Sequence, residues 1–171
     1  MRVFGFAGWS GSGKTTLIEA LIPLLVRHGL RVSLIKHAHH SFDLDQPGKD
    51  SYRHRVAGSS EVLITSGVRW ALMHELRGDS ELTLPQALSR LAPCDLALIE
   101  GYKAYPIPKL EIWRKSLGNP LLHPQDPHIA AIATDDPETF AGGRIPAFSL
   151  SALDEIATVI HTRAVVWPAL N

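Results

Sequence analysis

The chain has 171 residues, no formal net charge and one cysteine, Cys94. That length fits one well-buried α/β domain covering residues 1–171. Zero net charge supplies no global field toward nucleic acid or a membrane surface. A single cysteine allows neither an intrachain disulfide framework nor a Cys-rich metal site, which fits a reducing cytoplasm. Nor does the N-terminus read as a signal peptide, and no apolar run approaches the roughly 18 residues that span a bilayer.

In chain order, residues 2–8 read as a first strand and 14–28 as a helix closed by Gly29. Pro23 is expected to kink that helix or to start a second segment. Arg31 to His37 reads as a second strand. The polar stretch 38–50 is too long for a simple turn. Ser51 to Ala57 reads as a short helix stopped by Gly58. Glu61–Thr65 and Arg69–His74, on either side of Ser66-Gly67, read as a hairpin. Leu84 to Leu91 follows as a helix with Pro85 in its first turn. Strands are expected at 95–100, 110–114 and 128–133, and an amphipathic helix at 153–163. Val165-Val166-Trp167-Pro168 is apolar enough to pack or to bind. The alternation predicts a P-loop NTPase-type three-layer α/β fold, its sheet mostly parallel with an added antiparallel hairpin.

The first strand and first helix flank Gly8-Trp9-Ser10-Gly11-Ser12-Gly13-Lys14-Thr15. This is a complete G-x-x-x-x-G-K-[ST] phosphate-binding loop in the strand–loop–helix context that its chemistry requires. Backbone N–H groups from Gly8 to Thr16 curl around phosphate, helped by the positive end of the helix dipole. Lys14 reaches the β- and γ-phosphates, and the Thr15 hydroxyl ligates Mg²⁺. Glu100 ends an apolar strand at the end where parallel strands place ligands, so it is the expected metal-side carboxylate. Asp95 begins that strand and lies at its far end.

Between Lys36 and Arg55 the chain gathers four histidines, four basic residues and three aspartates. Asp43 or Asp45 could complete a Mg²⁺ shell. Lys49, Arg53 and Arg55 could hold an anionic second ligand, and His37, His39 and His40 a transition metal. Past the strand at 128–133 stands Asp135-Asp136-Pro137. Asp136 fits a helix cap. That leaves Asp135 to accept from guanine N1 and N2, a donor pair that adenine lacks.

Four blocks carry a family resemblance. They are Gly8 to Leu17; Lys36-His37-x-His39-His40; Asp45-x-Pro47-Gly48-Lys49-Asp50-Ser51-x-Arg53-x-Arg55-x-Ala57-Gly58; and Leu98-Ile99-Glu100-Gly101-Tyr102-Lys103 with Pro108-Lys109-Leu110-Glu111. Together they resemble the MobB family, accessory proteins of molybdopterin-guanine dinucleotide biosynthesis. The resemblance implies a cytoplasmic, homodimeric protein that binds GTP and Mg²⁺ and hydrolyses GTP weakly at most. It implies a partner, the MobA-like guanylyltransferase that attaches the guanine nucleotide to molybdenum cofactor. For that partner it would deliver GTP or hold molybdopterin. Lys14 and Glu100 would serve any catalysis, with Thr15, Asp45 and Glu100 near the metal. Lys49, Arg53 and Arg55 would face GTP or pterin phosphates, and the hairpin would be a subunit contact.

Related dimeric ATPases carry a signature lysine early in the loop, where this chain has Trp9 and Ser10. Without it, or an arginine finger, hydrolysis is expected to be slow. Two rival readings are a small-molecule kinase and a metallochaperone GTPase using the histidines. Neither accounts for the middle block as well.

Overall fold

Side chains alternate across the central strands, and both faces of those strands are apolar. β1 (Arg2–Ala7) and β5 (Leu96–Glu100) therefore must be covered on both sides, as parallel strands are. The computed structural model describes residues 1–38 and 42–167. His39, His40 and Pro168 lie outside the described residues. The chain divides into two units, Met1–His37 with Leu84–Asn171, and Ala38–Thr83.

The larger unit is a seven-stranded sheet. β2 (Val32–Lys36), β5, β1, β6 (Lys109–Trp113), β7 (Ile129–Thr134) and β8 (Ala147–Ser149) lie in that order, all neighbours parallel. Phe4, Phe6, Leu96, Leu98, Leu110 and Ile112 face one layer. There α1 (Lys14–Arg27) contributes Leu17, Ile18, Leu21, Leu24 and Leu25, and α4 (Leu153–Arg163) contributes Ile156, Ala157 and Ile160. These spacings are those of one helical face. Val3, Ala97 and Ile99 face the other layer, with Leu84 and Leu88 of the short helix α3 (Leu84–Ser89).

Pro23 lies inside α1 without starting a second segment. The helix ends where Gly29, at φ +83°, donates to Val26 O while Leu30 donates to Leu25 O. The sequence signals missed two strands. β8 is three residues long. β9 (Val165–Val166) pairs antiparallel with Arg2 and Val3, where β6 has not yet joined β1. The C-terminal segment thus pairs with β1 through its backbone while Val165 and Val166 stay exposed, and the Trp167 ring lies 5.7 Å from that of Tyr105.

The smaller unit holds α2 (Asp50–Val56) and a hairpin of β3 (Glu61–Thr65) and β4 (Trp70–His74). The turn spans Ser66 to Arg69, one residue longer than the sequence suggests. Ser66 Oγ accepts from the Val68 and Arg69 N–H groups. No residue from 42 to 83 is buried.

Candidate functional site

The phosphate loop leaves β1 at Ala7 and enters α1 at Lys14. Gly8 stands at φ +152°, and a Cβ there would lie 2.6 Å from the Ile112 carbonyl oxygen. Gly13 stands at φ +96°, and a Cβ there would lie 3.3 Å from the Arg114 guanidinium. Both positions demand glycine. Ser10, Gly11 and Thr16 are exposed, while Ser12 is buried. The Ser12 hydroxyl has no hydrogen-bond partner among the described residues. A buried polar group rarely stays unsatisfied without a ligand or water to meet it.

Glu100 shares the sheet face of Leu96 and Leu98, and therefore points to the layer where α1 begins. Its Oε1 accepts from the Thr15 hydroxyl at 3.2 Å, and its Oε2 lies 3.6 Å from Lys36 Nζ. Only 7% of Glu100 is exposed. Thr15 and Glu100 thus present two adjacent hard oxygen donors. Among the described residues, no three His, Cys, Asp or Glu side chains gather to cage an ion. The pair fits Mg²⁺, which takes few protein ligands and completes its shell with phosphate oxygens and water.

Lys14 donates to the carbonyls of Gly8 (3.0 Å) and Trp9 (2.9 Å). Burial, then the nearby charges of Lys103 and Lys36, hold its ammonium pKa below the usual lysine value, against an opposing pull from Glu100. Lys103 sits over the Trp9 ring, 5.6 Å from its centroid. The Trp9 indole N–H donates to the Pro120 carbonyl at 2.8 Å. The turn after β5 is tight. At Gly101, φ +106°, a Cβ would lie 2.5 Å from His37 Cβ, and the His37 and Tyr102 rings lie 4.6 Å apart.

At the other side of the loop, Arg114 Nε donates to the Ser12 carbonyl at 3.0 Å, and its Nη1 lies 3.7 Å from Asp135 Oδ2. Asp135 Oδ1 accepts from the Lys115 N–H. Its side chain is one-third exposed, not enclosed. Asp136 occupies the cap position and takes the Thr139 hydroxyl and the Lys115 ammonium, without a side-chain bond to a backbone N–H.

Two buried charges of β6 fasten the segment beside these groups. Glu111, fully buried, accepts from the Leu122 and His123 N–H groups. Lys109, 1% exposed, pairs with Asp126 at 2.8 Å. Burial pushes the Asp126 pKa up, but the bonds from Lys109 and the His128 N–H outweigh it and leave it lowered.

The remaining basic candidates lie in the smaller unit. Lys49 and Arg53 are exposed, and Arg53 forms a 3.9 Å pair with Asp50. Arg55 is engaged by Asp43, Asp45 and Glu75 at 2.8, 3.3 and 2.6 Å. Asp45 Oδ1 also accepts from the Ser51 hydroxyl. His37 belongs to the larger unit, and no described His cluster with metal geometry accompanies it.

Lys14, Thr15 and Glu100 meet in one site, with Lys36, Lys103, Trp9 and Arg114 added by the tertiary structure. Lys103 was legible as part of the Glu-Gly-aromatic-Lys block. Arg114 had no signal beyond ending an expected strand, and the structure places it just past β6. The fold and this loop define a P-loop α/β protein.

Residues 3–135 match the family model described as MobB: Molybdopterin guanine dinucleotide synthesis protein B. The chain is 45% identical over 141 residues to the molybdopterin-guanine dinucleotide biosynthesis adapter protein of Escherichia coli K12, covering 79% of each. It is also 45% identical to that of Haemophilus influenzae, covering 79% of this chain and 75% of the relative. The crystal structure of Bacillus subtilis MobB superposes with a TM-score of 0.75 at 24% identity, covering 96% and 98% of the two chains. The chain belongs to the MobB family.

Proposed function

We propose that this chain binds GTP with Mg²⁺ and serves as an adapter for attaching the guanine nucleotide to molybdopterin. The observation that carries the reading is the loop from Gly8 to Thr16 with Thr15 hydrogen-bonded to Glu100. Lys14 would leave two neutral carbonyls for the β- and γ-phosphates, Thr15 and Glu100 would hold Mg²⁺, and Ser12 would meet a phosphate oxygen. Asp135, oriented by Lys115 N–H and Arg114, accepts from guanine. Lys49 and Arg53 remain available to a second anion such as the pterin phosphate, whereas Arg55 and Asp45 serve the smaller unit itself. The names of the relatives support the pathway, and its guanylyltransferase is the proposed partner. No described helix is long and apolar enough to cross a membrane, and a cytoplasmic location fits this role. The exposed hairpin supports a homodimer.

Calorimetric titration with GTP and ATP in excess Mg²⁺ tests the reading, on wild type and Asp135→Ala. A matched pair of base contacts discriminates by about 1–3 kcal/mol, roughly five- to 150-fold. GTP should bind tighter by that margin, and Asp135→Ala should remove the preference. Equal affinities in wild type would end the guanine assignment. Hydrolysis followed in the same samples should be slow.

A further inference from the structure

We infer that Lys103 is the residue that distinguishes a nucleoside triphosphate from a diphosphate, moving from the Trp9 ring to the terminal phosphate. The inference rests on the nucleotide reading of the loop and deepens it. Among the described residues, the ammonium groups of Lys14, Lys36 and Lys103 and the carboxylate of Glu100 lie close enough to act on one another. Lys36 pairs with Glu100 at 3.6 Å, so those two charges cancel. Lys14 is bonded to two neutral carbonyls. Lys103 makes no ion pair among the described residues and rests on the Trp9 face. Lys103 is near enough for its charge to act on Lys14.

Like charges held together this way await an anion. Once Mg²⁺ and Lys14 are counted, a fully ionised diphosphate is neutralised. A triphosphate keeps one negative charge, which Lys103 matches. The hold that Lys103 gives up is weak. A cation on an exposed aromatic face is bound less firmly than an ammonium donating to a phosphate oxygen. Trp9 is the second residue of the loop, and its indole N–H is fixed on Pro120, so Lys103 rests on the phosphate-binding loop itself. Lys103 is exposed, and its replacement leaves the core untouched.

The test is calorimetric titration with GTP and with GDP, each in excess Mg²⁺, of wild type, Lys103→Ala and Lys103→Arg. One charge-assisted contact is worth about tenfold or more in affinity. The GTP-to-GDP affinity ratio should fall by that factor in Lys103→Ala, with GDP binding unchanged, which also reports an intact fold. Lys103→Arg should keep most of the ratio. Equal losses for both nucleotides, or an unchanged ratio, would overturn the inference. If wild type binds both nucleotides alike, only this inference falls. If it binds neither, the nucleotide reading falls, and this inference with it.

Discussion

The two units of this chain are stabilised in different ways. The larger one buries two apolar layers against a parallel sheet and encloses charged groups only where each has its partner: Lys109 with Asp126, Glu111 with two backbone N–H groups. The smaller one buries no described residue. It rests on hairpin hydrogen bonds and on Arg55 gripped by three carboxylates. It also exposes Leu63, Ile64, Val68, Trp70 and Leu72, with Trp70 at 67%. An isolated two-stranded hairpin is marginal in water, and an apolar surface of this kind marks an interaction site. The difference teaches that the phosphate loop sits on a two-layered apolar core, while the hairpin unit carries its apolar side chains on its surface.

The sharpest way to break this comparison is Asp126→Asn. It strands the Lys109 ammonium in a buried setting, and losing one partner of such a pair costs about 3 kcal/mol. Denaturant unfolding should show that loss. A change under about 1 kcal/mol would mean that Lys109 reaches water readily.

A smaller effect is expected from Trp70→Ser in the hairpin. If that face is the subunit contact, removing an aromatic anchor weakens self-association by about 2 kcal/mol, roughly thirtyfold. Sedimentation over a range of protein concentrations reads it. The unfolding of the dissociated chain should barely change. A monomeric wild type at all concentrations would remove the dimer proposal.

The smallest effect separates the units by pH. In the folded chain the Asp126 pKa is lowered, as is that of Asp43 through the hydrogen bond from Arg55. A folded pKa below the ordinary value of 3.8 contributes stability that is present above 3.8 and is lost as pH falls through the folded value. Both units should therefore hold from neutral pH down to 3.8 as far as these groups decide, and weaken below it. Asp43 is exposed, so added salt should diminish its contribution, whereas the Lys109–Asp126 pair should resist screening. Amide hydrogen exchange, resolved by segment, distinguishes the two.

The sequence by itself determined the parallel α/β class, the phosphate loop and the existence of the hairpin. Each is written in local signals: period-2 and 3.6 apolar patterns, a glycine-lysine-threonine spacing, and Ser66-Gly67 between two β-rich runs. Glu100 was legible because strand polarity follows from the order of elements. The strands β8 and β9 were not, since two or three residues carry no period. The roles of Arg55 and Lys103 were also closed to sequence reading. A basic residue looks the same in sequence whether it meets carboxylates, an aromatic face or a phosphate. Only the tertiary structure brings Asp43, Asp45 and Glu75 onto Arg55, and Trp9 beneath Lys103, because those contacts join segments that no short-range pattern connects.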